Sequence, residues 1–123
     1  MYLPTSPAEL IQRQLEAYNA RNMDAWLATY APQARQYLYP ATLVAEGHEQ
    51  IRARMRARFA EPNLHARLLQ RHVMGKMVID VEIITRTFPE GPGWLQMAAI
   101  YEVEDGLIQS AVFIAGEPQL AIT

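Results

Sequence analysis

The 123-residue chain is 50% apolar and 20% charged, carries a formal charge of −2 and has no cysteine. This length suits one globular domain over residues 1–123 that buries its core without staples, and the missing thiols exclude disulfides, thiol nucleophiles and cysteine-type zinc sites. No apolar run nears the roughly 20 residues of a membrane span, and Met1 to Pro7 lacks the basic start and apolar centre of a signal peptide, so a cytoplasmic protein with no membrane contact is expected.

Ser6-Pro7-Ala8-Glu9 reads as a capping box with proline at the first helical position. Leu10, Ile11, Gln14, Leu15 and Tyr18 follow at helical spacing, an apolar stripe broken by one amide. Asn22 caps a second short helix with Met23, Trp26, Leu27 and Tyr30 inward, ending at Ala31-Pro32. Residues 35–46 suggest two short strands broken at Pro40. A third helix runs from Gly47 to Phe59, with Ile51, Met55 and Phe59 four apart. Arg54 and Arg58 lie on one flank of that seam and Arg52 and Arg56 on the other, a pattern that fits snorkelling around a buried helix better than a phosphate-binding face.

After Glu61-Pro62-Asn63 the period changes to two. Strands over 64–74 and 77–87 flank a Gly75-Lys76 turn, a register that sets Arg71 opposite Asp80 and His72 opposite Ile79. One face then carries His65, Arg67, Arg71, Asp80, Glu82 and Arg86. The other carries Leu68, Gln70, His72, Ile79, Val81 and Ile83, among others, and which of the two lines the interior stays open. Strands over 94–103 and 108–115 form a second hairpin around Asp105-Gly106, and residues 116–123 read as a tail. Helices followed by a meander predict an α+β domain, three helices on a curved, mostly antiparallel sheet, with a pocket in the space they leave.

This order resembles the cone of the nuclear transport factor 2-like superfamily. The strings Ala17-Tyr18-Asn19-Ala20-Arg21-Asn22-Met23-Asp24-Ala25, Tyr30-Ala31-Pro32, Gly47-His48-Glu49-Gln50-Ile51-Arg52 and Ala99-Ile100-Tyr101-Glu102-Val103 are similar to SnoaL-like and ketosteroid-isomerase-like proteins. Glu61-Pro62-Asn63-Leu64-His65, Val78-Ile79-Asp80 and the run from Thr87 to Gly93 resemble a small bacterial subfamily often labelled steroid delta-isomerase. The resemblance implies a carboxylate base, a tyrosine and a protonated acid around an enolate oxygen. Gln14 stands at the tyrosine's position, Leu38 or Tyr39 at the base's and Ala99 at the acid's, so steroid isomerisation is not expected.

Three readings remain. The first is a pocket protein for an apolar small molecule, with proton-transfer chemistry that needs neither cofactor nor metal. His72 is then the base, and Gln14 or Tyr39 the hydrogen-bond donor. The pocket would be lined by Tyr18, Trp26, Met55 and Phe59 from the helices, and by Gln70, Met97, Ala99 and Tyr101 from the strands. The second reading is a non-catalytic ligand-binding or dimerising module, with a scaffold for protein partners, like the transport factor itself, as a weaker third. The three histidines lack ligand spacing for a metal, and the basic block over 48–79 is balanced by an acidic one over 80–123, which argues against nucleic acid. The polar lattice around Arg71 and Asp80 reads as cross-strand ion pairs. Ala98, Ile100, Ala111 and Phe113 are expected to share the outer face of the second hairpin and to bury it in a homodimer.

Overall fold

The computed structural model describes residues 6–121. Helix α1 (Pro7–Asn19) starts as its capping box dictates, the Glu9 N–H donating to Ser6 Oγ at 3.1 Å. Helix α2 (Met23–Leu27) is capped by Asn22 Oδ1, which accepts from the Ala25 N–H. It ends earlier than expected, and Tyr30 opens a strand instead. Pro32 forces the residue before it into extended backbone, so Ala31 already lies in β1 (Tyr30–Leu38). A turn through the cis Tyr39–Pro40 bond leads to β2 (Thr42–Glu46). Helix α3 (Gly47–Phe59) then buries Ile51, Met55 and Phe59 as its spacing predicts.

Strands β3 (His65–Met74), β4 (Met77–Phe88), β5 (Gly91–Glu104) and β6 (Leu107–Ala115) form the antiparallel meander, turning at Gly75-Lys76 and Asp105-Gly106. The sheet order is β2-β1-β6-β5-β4-β3, and the sheet is curved and unclosed with the helices on its concave face. One pairing departs from the meander: β1 runs parallel to β6. The expected tail also contributes a strand. Residues Gln119–Leu120 form β7 against Gly93 and Trp94 of β5, and a side chain at Gly93 would strike the Gln119 carbonyl oxygen. This close approach is why the Gly-Pro-Gly segment belongs to β5 and not to a loop. Residues 122–123 of the expected tail lie outside the described residues.

The Asn19 amide docks α1 on the edge strand, donating to Ala66 O at 2.9 Å and accepting from Ala66 N–H at 2.8 Å. Trp26, Tyr30, Leu95, Ile108 and Val78 fill the centre of the core. No described helix is long and apolar enough to cross a membrane.

The first hairpin differs from its expected register in one place. Arg71 does sit opposite Asp80 and His72 opposite Ile79, but a bulge at Leu69 sets Leu68 opposite Glu82 and Arg67 opposite Ile83. One extra residue reverses the facing of everything beyond it. His65 and Arg67 therefore leave the face that holds Arg71, Asp80 and Glu82. That face is the concave, buried one: Val78, Asp80, Glu82 and Ile84 point inward while Ile79, Val81 and Ile83 are only partly covered. In the second hairpin, Ala98 and Ile100 face outward as expected, whereas Ala111 and Phe113 face inward. Their pairing with Tyr101 and Ala99 puts Val112 and Ile114 outside instead.

Candidate functional site

Three helices cannot fill the concave face, and the space left is a cavity of about 310 Å³. Leu15 and Tyr18 of α1, Met55 of α3, and Ile84 and Met97 of the sheet supply apolar wall. Its floor is the buried aromatic group of Trp26, Tyr30 and Tyr101. The exposed Leu38 and Ala115 mark its open side.

Among the described residues, Glu82 is the one carboxylate on the cavity wall, and it is 6% exposed. Asp80, two residues before it on the same face, is 1% exposed and held by Arg71 in a two-pronged ion pair of 2.7 and 2.9 Å. The third prong of Arg71 donates to Gln12 Oε1 at 2.9 Å, tying the strand pair to α1. Glu82 has no hydrogen-bond or ion-pair partner among the described residues. Burial, and then the neighbouring Asp80 charge, push its carboxyl up to about 7, against a smaller opposing pull from Arg71. A group that gains and loses a proton near neutrality is suited to general acid–base work.

Hydrogen-bond donors line the same cavity. Gln14 is also 6% exposed, and its Oε1 accepts from the Tyr101 hydroxyl at 3.5 Å, the outer limit of such a bond. Its amide nitrogen has no partner among the described residues. Trp26 Nε1 is fully buried and equally unpartnered. Burial pushes the Tyr18 hydroxyl up to about 12 and those of Tyr30 and Tyr101 upward as well, so all three stay protonated and can donate. A buried chain runs from Arg54 through Gln36 to Tyr30: the guanidinium donates to Gln36 Oε1 at 2.9 Å, and Gln36 Nε2 donates to the Tyr30 hydroxyl at 3.3 Å.

Of the residues proposed from sequence, Gln14, Tyr18, Trp26, Met55, Met97 and Tyr101 line the cavity. Phe59 is buried behind it, edge-on to Tyr18 and Trp26, and Ala99 is buried in the strand opposite Asp80. Three proposed residues lie elsewhere. His72 and Gln70 are exposed on the convex side, because that face of the hairpin points away from the helices. Tyr39 is 63% exposed at the turn after β1. His72 is therefore not the base of this cavity. Glu82 was passed over because its strand inverts the usual rule: the apolar residues of Val81-Glu82-Ile83 face outward and the acid faces inward. The available signal was the pair Asp80 and Glu82 at strand spacing beside a single opposed arginine, one acid more than the arginine can neutralise. Among the described residues, no three His, Asp or Glu side chains converge in a way that would hold a metal ion.

The SnoaL-like domain model matches residues 11–111, from within α1 to within β6. The chain belongs to the SnoaL-like family. Solved structures agree on the fold of this SnoaL-like protein. An uncharacterised cystatin-fold protein from Novosphingobium aromaticivorans is 26% identical over 89% of this chain and 98% of its own, with a TM-score of 0.81. IdmH of Streptomyces antibioticus, a candidate polyketide cyclase, is 19% identical over 90% and 92%, with a TM-score of 0.76. A protein of ketosteroid-isomerase-like fold from Catenulispora acidiphila, solved with trimethylamine, is 18% identical over 89% and 85%, with a TM-score of 0.74. No curated protein is significantly similar to the chain.

Proposed function

We propose that this SnoaL-like protein is a cofactor-independent proton-transfer enzyme acting on a small, largely apolar carbonyl compound, with Glu82 as its base. The observation that carries this reading is a buried, unpartnered carboxyl, poised near neutral pH, on the wall of an apolar cavity. Glu82 takes a proton from the carbon next to the carbonyl, and the electron pair moves onto the carbonyl oxygen. The Gln14 amide and the protonated tyrosines donate to that oxygen as it gains charge. The proton held on Glu82 then returns to carbon, at the same or a conjugated position, and the carboxylate is regenerated. General-base catalysis of this kind contributes about 100-fold or more. IdmH, which shares this fold and is a candidate polyketide cyclase, is in keeping with a pocket for a small organic molecule.

Deuterium exchange into 2-tetralone in heavy water tests it. Exchange should exceed the buffer rate, rise with pH through about 7, and be lost in Glu82→Gln. Saturable binding of 2-tetralone without faster exchange would instead support the non-catalytic binding module.

We also propose that a second copy covers the convex face of the sheet. Ile79, Val81, Ile83, Ile100, Val112 and Ile114 form an apolar strip there, and Trp94 stands 42% exposed beside it.

A further inference from the structure

Three arginines line the cavity: Arg54 and Arg58, one turn apart on α3, and Arg86 near the end of β4. Each is half-buried, and none has a carboxylate partner among the described residues, although Arg35, Arg52 and Arg71 all do. Three cations therefore face a cavity whose single acid among the described residues is the more deeply buried Glu82. Partly desolvated like charges so close together are unfavourable when empty: burial and the Arg58 charge both lower the affinity of Arg54 for its proton. Arg54 is nonetheless fixed in place. It is held by Gln36, which is completely buried and itself held by Tyr30, and it lies 5.6 Å over the Phe113 ring. Arg86 is likewise laid over Phe88, at 4.9 Å. Snorkelling alone accounts for the carbon stems of these side chains but not for a buried amide chain that holds one guanidinium at the cavity wall.

We propose that the ligand of this cavity carries a carboxylate, which docks on Arg54, Arg58 and Arg86 while its apolar body occupies the space toward Glu82. The inference rests on the reading of the cavity as a small-molecule site and adds the class of molecule. Guanidinium groups present planar, paired donors that match a carboxylate. The features that usually accompany a phosphate site are missing from this rim. Arg54 and Arg58 stand in the second half of α3, away from its N-terminus, and no glycine-rich loop lines the cavity. The arginines neutralise the far end of the ligand, so Glu82 meets its uncharged, carbonyl-bearing part.

A matched pair of probes tests the proposal: naphthalene-2-carboxylate and naphthalene-2-carboxamide, similar in shape and differing in charge, titrated calorimetrically at low and high ionic strength. The carboxylate should bind the unmodified protein at least about tenfold more tightly than the carboxamide, with the gap narrowing in high salt. Arg58→Gln and Arg86→Gln, which remove no hydrogen bond within the described protein, should each weaken the carboxylate about tenfold and leave the carboxamide unchanged. The carboxamide also reports that each variant still folds. Met97→Trp, which fills the cavity, should abolish both, with its circular dichroism unchanged. Equal affinities of the two probes for the unmodified protein would overturn the carboxylate proposal and leave the small-molecule site standing. Binding of neither probe would overturn both. Carboxylate binding that survives Met97→Trp would place the anion on the surface and also overturn the proposal.

Discussion

Asp80 and Glu82 stand two residues apart on the concave face of β4, and only Asp80 has a counter-charge. Arg71 is committed to Asp80 through two of its nitrogens and to Gln12 through the third. Glu82 is left as a buried acid whose neighbour favours its neutral form. The chemistry proposed for the cavity follows from this unequal sharing of one arginine between two carboxylates.

Glu82 makes the fold pH-dependent in a direction opposite to that of a salt-bridged acid. Its folded value of about 7 lies above the ordinary 4.5. Between those two values the folded state holds a proton that the unfolded chain releases, so stability falls as pH rises through the window. Glu82→Gln removes this cost. The variant should match the parent near pH 4.5 and exceed it at pH 8 by up to about 3 kcal/mol, as read from urea denaturation at the two pH values.

Changing either partner of the neighbouring ion pair should move Glu82 in a known direction. Asp80→Asn removes the negative charge that raises the Glu82 carboxyl, so the midpoint of the pH–exchange profile should shift below 7. Asp80 thus acts as a positioning residue, and its effect is read in the midpoint even if the maximal rate also changes. Arg71→Met leaves Asp80 buried without its counter-charge and should cost roughly 3–5 kcal/mol in denaturant unfolding.

Gly93→Ala should detach β7 without unfolding the sheet. An added methyl meets the Gln119 carbonyl, and the backbone bond from the Ala121 N–H to Pro92 O is anchored alongside. Hydrogen exchange at Ala121 should accelerate in the variant, while that at the Ala99 amide in the middle of β5 stays slow.

Ile100→Asp places a charge in the centre of the convex strip. If a second copy covers that face, sedimentation velocity should show the unmodified protein as a dimer and the variant as a monomer of unchanged secondary structure. A monomeric parent at high micromolar concentration would contradict the proposal.

Much of the architecture was legible because local signals were strong. The capping box at Ser6, the Ile51, Met55 and Phe59 spacing and the two glycine-bearing turns each specify an element from neighbouring residues alone. Near the Gly75 turn the register followed as well, down to Arg71 opposite Asp80. What local pattern could not specify was the bulge at Leu69, which leaves no mark in residue types, and the direction of burial in β4. Both faces of that strand carry apolar residues, so alternation alone does not place the acids inside. The site inherited this ambiguity. Gln14, Tyr18 and Trp26, on helices with a clear inward stripe, line the cavity, whereas His72 and Gln70 lie on the convex side and Glu82 lines the cavity from a strand whose facing the pattern left open.

The most direct test of the central claim is the titration of the Glu82 side-chain carboxyl itself, followed by carbon-13 chemical shift in protein labelled at glutamate and assigned by comparison with Glu82→Gln. The account predicts one glutamate with a midpoint of about 7, absent from the variant. A Glu82 midpoint near 4.5, the ordinary glutamate value, would contradict it and leave the cavity without a base.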